Sequence, residues 1–245
     1  MEVAAQPGVG CNGASEAVRL SGAPTINRTG QNPGKIGPVR LSEAASLNGA
    51  LLAHAGSDME NITRNPQQSR EALLIVDVQV GLVELIPAEI RERVLPKIRT
   101  LLEKARASGK PVFYIQHDGA KAHPLETHSE GWRIHPSLQP ANGELVIRKR
   151  GSDSFFETTL LEELEKRGIR HLIIVGGMTE YCIDTTCRRA TSLGYDVTLA
   201  SDAHLTRANG VLSAANIIAH HNLVLEDFGA GSHQVSVRPT REIVF

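Results

Sequence analysis

The chain has 245 residues, 41% of them hydrophobic, and a formal net charge of −1 from 26 basic and 27 acidic side chains. That balance gives no bulk electrostatic footing for nucleic acid or an anionic membrane surface, and no apolar run approaches the ~20 residues a bilayer span needs. Three cysteines, Cys11, Cys182 and Cys187, are odd in number and too few for a disulfide framework, which fits a reducing, cytoplasmic setting.

Residues 1–68 differ from the rest. Pro7-Gly8-Val9-Gly10, Asn32-Pro33-Gly34 and scattered Ser, Ala and Asn show no sustained hydrophobic period. Such a segment buries too little apolar surface to offset its ordering entropy, so a disordered leader is expected. A small domain around Leu47 to Ala55 is the less favoured alternative. The leader lacks the basic-then-apolar plan of a secretion signal, and Glu2, Glu16 and Glu43 make it more acidic than an organellar transit peptide. Met59 begins Met59-Glu60-Asn61-Ile62-Thr63 only a dozen or so residues before the first strand-like run, so an over-extended start, with Met59 as the true first residue, is the alternative to a disordered leader. Residues 69–245 suffice for one core.

Along that stretch apolar runs alternate with helical patterns, the signature of a parallel sheet covered on both faces. Ala72–Val76 reads as the first strand. A helix from about Pro87 to Ser108 follows, stopped at Gly109, with Pro96 predicting a kink or a break into two shorter helices. Val112–Gln116 is the second strand, and 118–143, with Pro124, Pro136 and Pro140, a surface loop over the strand ends. Glu144–Arg148 is the third strand and Glu157–Arg167 a helix closed by Gly168. Leu172–Val175 is the fourth strand, Tyr181–Leu193 a helix stopped at Gly194, and Val197–Ala200 the fifth strand. Val211–His221 reads as a helix, Leu223–Leu225 as a short sixth strand and Val235–Phe245 as a weak edge strand. The expected architecture is a three-layer α/β/α fold on a mainly parallel, six-stranded, Rossmann-like sheet.

Ligands in such sheets bind beyond the carboxyl ends of the strands, where Asp77, His117, Lys149 and the turn Gly177–Cys182 fall. Cys182 sits where a strand passes through two glycines into a helix. With Thr179 as N-cap, it is the third helical residue, and the helix dipole and free N–H groups are expected to favour its thiolate. Amide groups at this turn can hold an oxyanion. The plain alternative is a buried structural thiol. Cys187, five positions on, diverges from Cys182 and is expected to pack. Asp77 ends a fully apolar strand, where a carboxylate is costly unless it has a partner or a chemical role. It is therefore a candidate general base, or else a cap for the turn near Gly81. Alternation puts Lys149 on the side opposite Arg148 and Arg150.

Asp77 after the first strand, Lys149 after the third with Asp153, Ser154 and Phe155 following, and Cys182 after the fourth together resemble the isochorismatase-like cysteine hydrolases over roughly residues 70–245. The resemblance implies an Asp77–Lys149–Cys182 triad cleaving an amide or related bond, with Asp77 as base, Lys149 stabilising the thiolate and Cys182 attacking. It also implies an oxyanion hole at the N–H groups of Met178 and Cys182, and a cis Gly177–Met178 peptide. The stretch Thr179–Arg189 resembles the metal-free members, which include streptothricin hydrolases, so amide or lactam opening ranks above ether cleavage of the isochorismate type. Candidate substrate contacts are Gln79, His117, Trp132, Phe155, Glu180 and Tyr181, with loop anchoring the alternative for Trp132. The nicotinamidase branch holds a metal with Asp-x-His. Here the strand ends Gln116-His117-Asp118, so neither metal nor cofactor is expected, and His123, His128 and His135 are read as surface residues. A small-molecule substrate and a homo-oligomer are expected.

Other classes fit less well. No glycine fingerprint follows the first strand, no G-x-S-x-G appears, and a non-catalytic interaction domain on this fold would not need all three triad positions.

Overall fold

The structure, a computed structural model, describes residues 71–245. The expected leader over 1–68 and the start at Met59 lie outside the described residues. The strands are β1 (Glu71–Val76), β2 (Val112–His117), β3 (Leu145–Lys149), β4 (His171–Gly177), β5 (Asp196–Leu205), β6 (Gly229–Ala230) and β7 (His233–Arg238). They form one sheet in the order β3-β2-β1-β4-β5-β7-β6, parallel except for the antiparallel β6–β7 pair. The helices are α1 (Val80–Glu84), α2 (Ala88–Ala107), α3 (Leu160–Lys166), α4 (Asp184–Ser192) and α5 (Ala214–Leu225).

The period of two along the central strands builds two cores. Leu73 and Ile75 of β1, Tyr114 of β2 and Ile173 and Val175 of β4 face α1 and α2. Ala72, Leu74, Val76, Phe113, Ile115, Leu172 and Ile174 face α3 and α4. This is a three-layer α/β/α arrangement with one more strand than expected. The α2 stripe Ile90, Val94, Ile98, Leu101, Leu102 and Ala105 is buried, each large member contributing about 1.5–3 kcal/mol relative to exposure.

Several boundaries differ from the sequence reading. Pro96 breaks nothing: α2 is uninterrupted, because Pro96 lies on its exposed side, where the carbonyl left without a donor meets water. The first turn expected of α3 is replaced by a turn in which Glu157 has φ 53° and the Thr158 hydroxyl donates to the Ser154 carbonyl. Leu223–Leu225 is the end of α5, which starts later than expected because the Ser213 side chain caps it through the Asn216 N–H, 3.1 Å. The last strand ends at Arg238, and two-residue β6 occupies the edge.

β5 runs five residues beyond the expected Ala200. Its pairing with β4 shifts between Ile174↔Leu199 and Gly176↔His204, so residues 200–203 bulge. In the bulge Asp202 meets Lys97 at 3.0 Å and accepts from the Thr240 N–H and hydroxyl at 2.7 and 2.6 Å. Asp202 and His204, which lie beyond the expected end of this strand, are therefore strand residues.

His204 is 1% exposed. Asn222 donates its amide N–H to the Ser201 carbonyl (3.0 Å), so its Oδ1 accepts from His204 Nε2 (2.9 Å), and His204 Nδ1 accepts the Thr179 hydroxyl at 2.9 Å. This chain ties α5 through β5 to the turn after β4. Burial pushes the His204 pKa down to about 4, against a smaller upward pull from the Asn222 hydrogen bond. The neutral ring is the one the fold accepts, so the linked stability is complete above the unfolded value of about 6.5 and is lost as pH falls from there through 4. The expected loss is about 3 kcal/mol at its limit. The urea midpoint measured from pH 7 to pH 4.5 is expected to fall steeply in the native protein and much less in His204→Gln, even though that variant starts from lower stability; an equal slope in both would assign the acid sensitivity elsewhere.

Candidate active site

Three strand ends converge. β1 ends at Val76, and Asp77 takes a left-handed turn (φ 51°), a conformation Asp tolerates, closed by the Gln79 N–H on the Asp77 carbonyl at 2.8 Å. Lys149 is the last residue of β3. β4 passes into a π-helical turn, Thr179–Ile183, that carries Cys182, and the Gly177–Met178 peptide is cis. Only glycine fits at 176: its φ is +120°, and a Cβ there would stand 2.0 Å from the Val76 carbonyl oxygen. That contact presses the cysteine turn against the end of β1.

The Lys149 ammonium donates three hydrogen bonds: to Asp77 Oδ2 at 2.7 Å, Cys182 Sγ at 3.0 Å and the Gly151 carbonyl at 2.9 Å. That uses every proton it has. Lys149 is 2% exposed and Asp77 1%. Burial opposes the ammonium charge, but the Asp77 carboxylate and the sulfur outweigh it and hold the lysine above its ordinary range. The second Asp77 oxygen, Oδ1, is buried and has no hydrogen-bond partner among the described residues.

The thiol differs from the expectation. Burial and the adjacent Asp77 carboxylate push Cys182 up to about 12, with Lys149 pulling the other way. This direction favours the thiol over the thiolate. The helix-start argument does not carry over because the residue lies in a π-turn with Met178 at its N-terminal boundary, and because burial, followed by the Asp77 carboxylate, dominates the thiol. Thr179 is no cap; its hydroxyl is committed to His204. Cys187 is fully buried in the α3–α4 core.

A cleft of about 310 Å³ opens on Cys182 and Asp77. Leu82 and Leu85 from α1, Pro124 and Leu125 from the loop after β2, and Met178 supply an apolar wall, with His117, His123, Tyr181 and Arg207 around it. Of the candidate contacts, His117 and Tyr181 reach this cleft. Burial lowers the His117 pKa, and its Nδ1 is buried without a partner among the described residues.

The other candidates do not line it. Gln79 is a clamp: its carbonyl accepts the His117 N–H (2.9 Å) and its amide donates to the His117 and Trp132 carbonyls at 3.0 and 2.8 Å. Trp132 is a loop anchor, its indole N–H on Asp118 at 2.9 Å and Arg148 5.1 Å from its ring centroid. Phe155 packs in the core against Tyr195. Glu180 has a buried Oε2 without a partner among the described residues but lies off the cleft.

Asp118 is engaged by Trp132 and Arg148, His123 Nδ1 accepts the Leu125 N–H at 3.0 Å, and among the described residues no group of three or more His, Cys, Asp or Glu could hold an ion. The sequence reading missed Leu82, Leu85, His123 and Arg207. Leu82 and Leu85 come from α1 and its end, too short to show a helical period, and Arg207 was hidden by the bulge in β5.

Residues 71–219 match the isochorismatase domain. A streptothricin hydrolase of Streptomyces noursei is 39% identical over 139 residues, covering 56% of this chain and 50% of that protein. A secreted isochorismatase effector of Verticillium dahliae is 34% identical over 148 residues, 60% of this chain and 78% of that protein. The chain spans about half the length of the streptothricin hydrolases it matches. Among solved structures, an isochorismatase from Pseudomonas putida superposes with a TM-score of 0.65 at 31% identity, over 71% of this chain and 90% of that one. With the domain match extending over more than half of its length, the chain belongs to the isochorismatase family.

Proposed function

We propose that the chain is a cysteine hydrolase that opens a carbon–nitrogen bond in a small amide or lactam. One observation carries this reading: the Lys149 ammonium is hydrogen-bonded at once to Asp77 and to Cys182 at the floor of a cleft. Asp77 Oδ1, the oxygen without a partner, accepts the thiol proton as Cys182 Sγ bonds to the carbonyl carbon. Lys149 keeps its proton throughout and stabilises the sulfur anion as it forms, which is the state its two contacts suit. The N–H groups of Met178 and Cys182 receive the oxyanion. Collapse breaks the C–N bond and the amine leaves with the proton held by Asp77. Water then attacks the thioester, Asp77 takes its proton, and the thiol is restored as the acid leaves.

Because the thiol rests protonated, the base and the cation are both indispensable. Cys182→Ala, Asp77→Asn and Lys149→Met are each expected to lower kcat/KM by roughly 10³-fold or more, and the double variant of Asp77 and Lys149 by little more than either single one. Ammonia release across a library of small amides gives the measurement. Hydrolysis that survives Cys182→Ala would instead favour ether cleavage without the thiol.

Dialysis against a strong chelator is expected to leave the rate unchanged, since among the described residues no group of three or more His, Cys, Asp or Glu is placed to hold an ion. A rate lost on chelation and restored by zinc would overturn that.

A further inference from the structure

The charges around the cleft do not cancel. Asp77 is balanced by Lys149 at 2.7 Å. His123 gives its Nδ1 lone pair to the Leu125 amide, burial holds His117 below its ordinary range, and Tyr181, Cys182, Met178 and the leucines and proline add no charge. Arg207 remains. Its guanidinium has no hydrogen bond or ion pair among the described residues, and an arginine side chain is charged at every working pH. The backbone fixes where it emerges. β5 ends at Leu205, which is in register with Gly177, so the chain leaves the sheet beside the Gly177–Met178 peptide; Thr206 is buried and Arg207 is exposed at the cleft.

We infer that Arg207 is the specificity-determining residue of this site, and that the cleft selects small amides carrying a carboxylate on a short, apolar arm. The inference rests on the reading that Cys182 is the nucleophile of this cleft. A planar guanidinium matches a carboxylate in a two-bond fork. The apolar wall of Leu82, Leu85, Pro124, Leu125 and Met178 suits the arm between that carboxylate and the scissile carbonyl. A volume of about 310 Å³ is at the small end for ligand sites, which limits the arm to a few carbons. A cationic substrate would meet an uncompensated like charge at the entrance.

Two arms test this. The first reads the charge of the cleft without any substrate. Iodoacetate and iodoacetamide both alkylate Cys182, forming an Sγ–C bond and expelling iodide as the thiol proton passes to Asp77, and they differ in carrying a carboxylate or an amide. The ratio of their Cys182 labelling rates, followed by peptide mass, is expected to fall about 5-fold in Arg207→Gln and to be kept in Arg207→Lys. The second compares succinamate, butanamide and 4-aminobutanamide as substrates. In Arg207→Gln the KM for succinamate is expected to rise about 5- to 10-fold with kcat within about 2-fold, while butanamide is unaffected. A labelling ratio unchanged in Arg207→Gln overturns the inference whatever the enzyme hydrolyses. A ratio that falls while none of the three amides is turned over refutes the amide reading and upholds the anion preference.

Discussion

The site depends on a cation placed where a cation should be costly. Moving an ammonium from water into a protein interior is worth several kcal/mol against folding unless charge and hydrogen bonds are returned to it. Lys149 gets both, from Asp77, Cys182 and the Gly151 carbonyl. Asp77 is equally dependent, since a buried carboxylate left without its cation is worse than an apolar pair in the same space. The two groups thus depend on each other, and burial together with the Asp77 carboxylate pushes the Cys182 sulfur toward the thiol. In the proposed reaction, attack on a substrate would move the proton from sulfur to oxygen inside an existing network, with little need for the surroundings to reorganise.

That network exists because three strand ends meet within a few ångströms. Parallel pairing of β1 with β2 and β4, and of β2 with β3, sets the heights of those ends. Two backbone departures then finish the geometry: the left-handed turn at Asp77 and the close approach of Gly176 to Val76. The Thr179–His204–Asn222 chain fixes the cysteine turn from behind. Packing on both faces of the sheet gives the stiffness that sub-ångström placement requires.

How much of this could be read from the sequence follows from which interactions are local. The buried strands β1, β2 and β4 are continuous apolar runs, and the helix stops at Gly109, Gly168 and Gly194 are real. Asp77, Lys149 and Cys182 could be placed together because the strand–helix alternation dictates on which edge they lie. Their protonation could not, since the Cys182 thiol answers to a carboxylate more than 100 positions away in sequence. Nor could the extension of β5, whose Ser201, Asp202 and His204 look like a turn until Lys97, Thr240 and Asn222 supply their partners. Leu223–Leu225 misleads for the opposite reason: a three-residue apolar run has no period, and only the burial of Leu225 beside the exposure of Leu223 marks it as helix.

Gln79 has a consequence for how the cleft can change. Its amide grips the chain at His117 and at Trp132, the two ends of the loop that supplies His123, Pro124 and Leu125 to the wall. The Trp132 ring adds a second fastening through Asp118 and Arg148. A segment pinned at both feet is a fixed rim, and its middle is seated as well: Leu125 is buried in the core beneath α1, and the Pro124 carbonyl lies so close to Gly81 that a Cβ there would stand 2.2 Å away. What is left open to change is the exposed chemistry of Lys121, Ala122 and His123, on a backbone whose path is already set. The cleft can therefore be retuned by the side chains on this rim more readily than by its length.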